Sequence, residues 1–150
     1  MHRKGVGSDG PERLAGVEFF SGLSEAHRRI LARLVDELSA EPGETLMEQG
    51  TFGYEAIFIE QGTVDVLNDG QRINTAGPGE IVGELALVET EGRRTATVLV
   101  TTPLRALSLT SHSIREIQSG IPDLAEAIDR AAAEHRERDR LRRDGRIAAG

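Results

Sequence analysis

The residues best suited to chemistry lie in the stretch 77–98 of this chain. A single carboxylate, Glu84, stands inside the apolar run 82–87, and the paired arginines Arg93 and Arg94 follow after a short interval. A guanidinium binds a phosphate through two parallel hydrogen bonds, and the small residues after the arginines leave room for it. Free amides at the start of a short helix favour an anion, and a carboxylate accepts hydrogen bonds from sugar hydroxyls. The pattern therefore indicates a site for a sugar phosphate.

Two half-motifs in this stretch resemble the phosphate-binding cassette of the cyclic-nucleotide-binding domain family. The family pattern is roughly Phe-Gly-Glu-Leu-Ala-Leu, a loop of variable length, and then Arg-Ala-Ala-Thr-Val. This chain has Val82-Gly83-Glu84-Leu85-Ala86-Leu87 and Arg94-Thr95-Ala96-Thr97-Val98. Val82 replaces an aromatic residue. Thr95 replaces the commoner Ala, as in family members that accept cyclic GMP or that use a hydroxyl on the ligand.

The resemblance implies a role for each residue of the cassette. Arg94 and the backbone amides of Leu85 and Ala86 would hold the cyclic phosphate, whereas Glu84 would accept a hydrogen bond from the ribose 2′-hydroxyl. The register Arg-Thr-Ala-Thr selects Arg94 for the phosphate and leaves Arg93 as a solvated surface charge. Thr95 either donates its hydroxyl to the ligand or simply favours a strand, and Val66 and Ile73 are either core or pocket wall. The expected site consists of Gly83, Glu84, Leu85, Ala86, Arg94, Thr95, Ala96, Val66 and Ile73.

Short strands joined by turns occupy the chain between residues 40 and 110. Strands are predicted over 45–47, 56–59, 62–66, 71–75, 97–100 and 104–109, and Asn68-Asp69-Gly70 is typical of a tight hairpin. Several short strands with glycine turns indicate a small jelly-roll barrel. Glycines at 43, 50, 62 and 79 match positions that the family keeps, so the resemblance covers about residues 17–125.

Helices are expected on both sides of the barrel. Ser24 is a natural N-cap, and apolar residues at helical spacing predict a helix over 25–38. Pro122 opens a C-terminal helix whose apolar stripe is narrow and whose distal part, 134–146, is polar on all sides. The predicted fold class is α+β, mainly β: a small antiparallel jelly-roll barrel flanked by an N-terminal helix and C-terminal helices. The predicted divisions are a disordered tail (1–12), the β-roll domain (13–120), and a lid or dimerisation helix with its tail (121–150).

Composition restricts the function classes. The net charge of −7 over 150 residues argues against nucleic acid as the main partner. The absence of Cys rules out disulfides and thiolate metal sites and fits a cytoplasmic protein. No apolar run approaches the length of a membrane span, and the polar N-terminus does not resemble a secretion signal. No predicted strand carries a histidine, which argues against a metal-binding cupin, also a jelly roll. Because no nucleophile motif is legible either, we expect no enzyme and no metal.

We interpret the chain as a cyclic-nucleotide-binding sensor. The resemblance favours cyclic AMP (cAMP) as the ligand, and Thr95 leaves cyclic GMP (cGMP) open. The C-terminal helix would close over the base as a lid, with His135 as its one aromatic-type residue. No helix-turn-helix follows this helix in the sequence, unlike the catabolite-activator branch of the family, so we expect no DNA binding within the chain.

Two alternatives stay open at this point. The arginine-rich end of the C-terminal helix is either a nucleic-acid contact or a solvated or dimerising helix, and the interleaved acidic residues favour the second, including a homodimer through this helix. The chain as a whole is alternatively a degenerate β-roll that acts as a ligand-independent interaction or dimerisation module. The intact Glu84 and Arg94 argue against that alternative.

Overall fold

The computed structural model describes residues 1–7, 10–89 and 92–145 and contains two antiparallel sheets. The strands are β1 (His2–Gly5), β2 (Val35–Ala40), β3 (Thr45–Met47), β4 (Glu55–Gln61), β5 (Val64–Asn68), β6 (Gln71–Ala76), β7 (Ile81–Val82), β8 (Thr97–Val100) and β9 (Leu104–Thr110). A five-stranded sheet has the order β1-β2-β9-β4-β7, and a four-stranded sheet has the order β3-β8-β5-β6. This architecture confirms the predicted α+β β-roll.

The helices precede, interrupt and follow the main run of strands in the sequence. They are α1 (Gly10–Ala15), α2 (Glu25–Ala32), α3 (Leu85–Val88), α4 (Ile114–Gly120) and α5 (Pro122–Arg143). Short 3₁₀ turns cover Glu18–Phe20 and Ser111–Ser113. Ser24 caps α2 as predicted, because its side chain accepts a hydrogen bond from the His27 amide at 3.1 Å. None of the described helices is both long enough and apolar enough to cross a membrane.

Strand β4 separates two cores. Its side chains alternate between faces, so Ala56 and Phe58 pack with the helices, whereas Ile57 and Ile59 point between the two sheets. All four of these side chains are fully buried. The barrel is therefore closed on one side by a helical layer and filled by aliphatic side chains within.

The turns and strands near the candidate site follow the local sequence signals. Asp69 and Gly70 have φ of 51° and 80°, the left-handed values that a two-residue hairpin needs, and they join β5 to β6 as predicted. Strand β8 has the predicted bounds, and β3, β4 and β9 contain the predicted strands. The predicted one-turn helix in the cassette is α3.

The predicted helix over 25–38 is wrong in its second half. Helix α2 ends at Ala32, and Val35–Ala40 forms β2 between β1 and β9. Val35 and Leu38 are spaced three residues apart, which fits a helix face, but they are buried as members of a strand. Pairing along six residues of β9 outweighs the local helical spacing.

The prediction of a disordered tail over 1–12 is also wrong for most of its residues. His2–Gly5 pairs with β2, and Gly10 and Pro11 begin α1; Ser8 and Asp9 lie outside the described residues. One histidine, His2, therefore does lie on a strand. Arg3 explains why this polar segment is ordered, because its guanidinium forms two hydrogen bonds with the buried carboxylate of Glu55, at 2.7 and 2.8 Å.

Helix α5 begins at Pro122 as predicted, and its two halves differ in the kind of side chain that they bury. Leu124, Ile128 and Ala132 in its first half are buried in the helical core. Asp139 in its second half is also buried, so this distal part is polar as predicted but is not solvated on all of its faces. This part of α5 packs over the cassette.

Candidate functional site

A cavity of about 250 Å³ lies between the cassette, the wall formed by β5 and β6, and the distal part of α5. The structure brings every residue of the predicted site to its lining. Val66 and Ile73 are half-buried and face the cavity, so they belong to the pocket wall. The predicted residues that line this cavity are Gly83, Glu84, Leu85, Ala86, Arg94, Thr95, Ala96, Val66 and Ile73.

Gly83 lets the chain turn from β7 into α3. Its φ of +77° is a left-handed value that L side chains rarely adopt. A Cβ built there would lie 2.5 Å from the Met47 Cε and 2.8 Å from an Arg94 guanidinium nitrogen. Gly83 is thus required both by its backbone conformation and by the close approach of Arg94.

Glu84 occupies the N-cap position of α3 and is 3% exposed. Its Oε1 lies 2.9 Å from His135 Nδ1 on α5. The Ala86 amide donates to the Gly83 carbonyl at 3.1 Å and closes the turn, so an anion at this turn would share that amide. The carboxylate of Glu84 therefore points toward the cavity and toward the helix above it.

Arg94 is anchored by backbone carbonyls. One guanidinium nitrogen donates to the Glu55 carbonyl at 2.9 Å, and another lies 3.5 Å from the Gly83 carbonyl. Burial lowers the pKa of Arg94, and the nearby carboxylates of Glu55 and Glu84 oppose that shift. A half-buried guanidinium held by neutral acceptors still has donors for an anionic ligand.

The backbone carbonyl of Glu55 accepts a hydrogen bond from Arg94, and the side chain of Glu55 is itself held by hydrogen bonds. Burial would raise the pKa of its carboxyl, but hydrogen bonds from Arg3 and Ser108 outweigh burial and lower it. The Ser108 hydroxyl donates to Glu55 at 2.6 Å. The carbonyl that holds Arg94 therefore belongs to a residue whose side chain is itself fixed on both sides.

Arg93 points away from Arg94. It is exposed, donates to the Gly50 carbonyl at 2.7 Å, and lies over the exposed Phe52 ring, with its guanidinium carbon 4.3 Å from the ring centroid. Thr95 is also exposed, and its carbonyl accepts a hydrogen bond from the Asn68 side chain at 2.9 Å. The two adjacent arginines thus have different surroundings, one half-buried and one at the surface.

One face of α5 completes the cavity. His135 Nε2 lies 3.2 Å from an Asp139 carboxylate oxygen, and Arg142 donates to the other oxygen of Asp139 at 2.6 Å. Burial alone would lower the pKa of His135, but the hydrogen bonds and charges of Asp139 and Glu84 raise it to about 9. Burial would raise the pKa of Asp139, but His135 and Arg142 lower it. In the described parts of the chain, no group of three or more metal-ligating side chains is arranged to hold a metal ion.

A family model for the cyclic nucleotide-binding domain matches residues 37–119, more than half of the chain. The chain belongs to this family.

Curated relatives in the family are regulatory or gating proteins. The chain is 35% identical over 98 residues to the cAMP-dependent protein kinase regulatory subunit of Yarrowia lipolytica, covering 65% of this chain and 26% of that protein. It is 33% identical over 98 residues to the human potassium/sodium hyperpolarization-activated cyclic nucleotide-gated channel 4, covering 65% of this chain and 8% of the channel. The chain thus spans about a quarter or less of the length of these relatives.

A solved cyclic nucleotide-binding domain from Methylobacillus flagellatus has the same fold. Its crystal structure aligns with a TM-score of 0.76 at 19% identity, over 99% of this chain and 90% of that one. At this identity the likeness concerns the fold alone.

Several residues that line or support the cavity were not among the predicted site residues. Gly53 lines the cavity beside Arg94, and Glu55 holds Arg94 from behind. His135, expected only as the aromatic-type residue of the lid, contacts Glu84 of the cassette, and Asp139 contacts His135 from the distal part of α5, for which the sequence favours a solvated or dimerising helix. The spacing of His135, Arg138, Asp139 and Arg142, which places them on one helix face, was the available signal.

Proposed function

We propose that this chain is a regulatory domain that binds cyclic AMP in the cavity beneath α5. The observation that carries the proposal is the placement of Arg94 and Glu84 on one cavity, half-buried and buried respectively. One cation and one carboxylate at a small cavity match the two polar ends of a cyclic nucleotide, its phosphate and its ribose. Membership of the family supports the same ligand class.

Arg94 binds the cyclic phosphate in this proposal, together with the amides of Leu85 and Ala86. The guanidinium has five N–H donors, and the backbone carbonyls of Glu55 and Gly83 occupy only part of them. Arg93 adds only a screened surface charge, because it is exposed and faces the Phe52 ring.

In this proposal, Glu84 accepts a hydrogen bond from the ribose 2′-hydroxyl. Its Oε1 is paired with His135, and no described side chain donates to Oε2, which is therefore the oxygen for the ribose. Gly83 and Ala96 leave space at the sugar phosphate, and Val66 and Ile73 form the apolar wall under the base.

Helix α5 closes over the base as a lid that reports occupancy. Thr95, exposed beside Arg94 on the cavity lining, is the hydroxyl that would also accommodate cyclic GMP. Within the proposal, the residues up to 120, including the paired strand β1, form the binding domain, 121–150 form the lid and its tail, and the distal helix is the contact for a homodimer. We further propose that the chain acts in the cytoplasm as a sensor rather than as an enzyme.

Titration calorimetry with cyclic AMP, cyclic GMP and 2′-deoxy cyclic AMP tests this function. The wild-type chain should bind both ribonucleotides, cyclic AMP more tightly, and should bind the deoxy analogue more weakly. A hydrogen bond to a charged group contributes about 1.5–3 kcal/mol, so Glu84→Gln should lower cyclic AMP affinity about 10- to 150-fold. The mutant should also lose most of the preference for ribose over deoxyribose.

Glu80→Gln is the matched control, because Glu80 lines the same cavity but is exposed. It should bind like the wild type. If neither cyclic nucleotide releases or absorbs heat with the wild-type chain, and neither raises its melting temperature, the ligand proposal is wrong and an interaction module is the better interpretation. Equal discrimination of ribose by wild type and Glu84→Gln would remove Glu84 from its assigned role.

A further inference from the structure

A chain of alternating charges joins the cassette to α5. Glu84 meets Nδ1 of His135 at 2.9 Å, Nε2 of His135 meets Asp139 at 3.2 Å, and Arg142 donates to Asp139 at 2.6 Å. Glu84 and Asp139 are 3% and 7% exposed. Two buried carboxylates on different elements are thus bridged by one imidazole.

The bridge requires a doubly protonated ring. A neutral imidazole has one N–H donor and one lone pair, so one of its nitrogens would turn a lone pair toward a carboxylate. Only the imidazolium donates from both nitrogens, to Glu84 and Asp139 together. With both carboxyls ionised, this geometry assigns a positive charge to His135.

We propose that the His135 imidazolium is the positioning residue of this site, orienting the Glu84 carboxylate toward the ribose and tying α5 to the cassette. The inference rests on the proposed function for the role of Glu84. Without the imidazolium, Glu84 is a buried carboxylate that lacks its described hydrogen-bonding partner and is free to take another rotamer. Nucleotide affinity then depends on the proton that His135 carries.

The other ionisable groups around the cavity are carboxylates and arginines. Carboxyl groups ordinarily titrate near about pH 4 and guanidinium groups above about pH 12, so a histidine is the residue type on this lining suited to change its charge between about pH 7 and pH 10. The charged groups that line the cavity with His135 are Glu80, Glu84 and Glu89 from the loop and cassette, Arg93 and Arg94 from the segment before β8, and Arg138, Asp139 and Arg142 from α5.

The direction of the pH effect follows from the raised pKa of His135. Because its pKa in the packed state, about 9, is above the ordinary value of 6.5, the imidazolium stabilises α5 on the cassette fully below pH 6.5. That stabilisation is lost as the pH rises through about 9. Affinity should therefore fall on the alkaline side.

Cyclic AMP affinity measured by calorimetry at pH 7, 8, 9 and 10 tests the proposal. We expect wild-type affinity to fall about tenfold across this range, as for the loss of one hydrogen bond to a charged group. His135→Gln should bind about tenfold more weakly than wild type at pH 7 and show a flat profile. His135→Arg, which keeps its cation throughout, should regain affinity at pH 10 relative to His135→Gln.

Arg136→Gln is the matched control. Arg136 also joins α5 to the cassette, through an exposed hydrogen bond to Glu89 at 2.8 Å, and should keep the wild-type pH profile. A wild-type profile as flat as that of His135→Gln would overturn the positioning role while leaving nucleotide binding intact.

Proton NMR of the His135 ring gives a readout that needs no ligand. The ring should titrate well above pH 6.5, and Glu84→Gln should lower its midpoint. If the chain binds no cyclic nucleotide but His135 titrates in this way, the bridge stands and the ligand proposal fails. A midpoint near pH 6.5 that Glu84→Gln leaves unchanged would show that the bridge does not form.

Discussion

A substitution at Gly53 should displace the Arg94 guanidinium, which we propose binds the phosphate, without removing its charge. A Cβ built at Gly53 would lie 2.8 Å from Arg94 Nε and 2.9 Å from Arg94 Cδ and Cζ. Ordinary contacts of a Cβ lie at 3.4–4 Å. Gly53→Ala therefore forces the guanidinium to shift by more than half an ångström, about the tolerance within which a binding constellation must be held.

The expected loss of cyclic AMP affinity in Gly53→Ala follows from the contacts of Arg94. A shifted guanidinium cannot keep both its bond to the Glu55 carbonyl and a bidentate contact with phosphate. Losing one charged hydrogen bond costs about 1.5–3 kcal/mol, so Gly53→Ala should weaken cyclic AMP binding about 10- to 150-fold. Truncating a buried charged partner outright costs about 2–5 kcal/mol, so Arg94→Ala should be at least as damaging.

The fold should survive this change. The φ of Gly53 is outside the left-handed range, and the atoms that a Cβ would meet belong to a flexible side chain. An alanine at a compatible position stabilises a protein by about 0.4–1 kcal/mol through the unfolded state, so the melting temperature without ligand should change little.

Calorimetry and thermal unfolding of Gly53→Ala measure the two effects separately. Gly22→Ala is the matched control, because a Cβ there meets no heavy atom within 4 Å and the φ is not left-handed; it should bind normally. Wild-type affinity in a folded Gly53→Ala protein would refute the assignment of Arg94. A large fall in the melting temperature would instead show that Gly53 is needed for the stability of the fold.

Two further predictions concern the arginine pair and the lid. Arg94→Ala should lose far more cyclic AMP affinity than Arg93→Ala, and only the small effect of Arg93→Ala should vanish when calorimetry is repeated at high salt; a larger loss for Arg93→Ala would reverse the assignment. Amide hydrogen exchange across residues 123–140 should slow when cyclic AMP is added, because the ligand adds contacts beneath α5. Equal protection with and without nucleotide would make α5 a fixed structural element rather than a lid.

Much of the cassette region could be predicted because its signals are local. Asp69 and Gly70 adopt left-handed backbone values that few other residues tolerate, so the hairpin is determined by two adjacent residues. Gly83 and Glu84 likewise indicate a tight turn that leads into a short helix. The register Arg-Thr-Ala-Thr, rather than alternation along β8, which begins only at Thr97, predicted that Arg93 and Arg94 have different surroundings.

The long-range pairings could not be predicted from spacing. Val35 and Leu38 have the spacing of a helix face, but in β2 they point to opposite faces of the sheet and pack in different cores, and only pairing with the neighbouring strand β9 decides for the strand. The polar composition of the N-terminal segment predicts a disordered tail, but Arg3 forms hydrogen bonds with the buried Glu55, which lies fifty-two residues further along the chain. A hydrogen bond to a residue distant in the sequence therefore orders a segment that local propensity alone would leave disordered.

The family and the cassette residues were thus determined by the sequence itself, since turn chemistry and the order of the half-motifs act over a few residues. The tertiary structure alone decided that α5 places His135 beside Glu84 and Asp139 beside His135. Their residue types predict a solvated helix, because charged side chains are usually exposed. Asp139 is buried and His135 is half-buried here because packing of the first half of α5 against the helical core places the second half over the Glu84 carboxylate, where opposite charges offset the cost of burial.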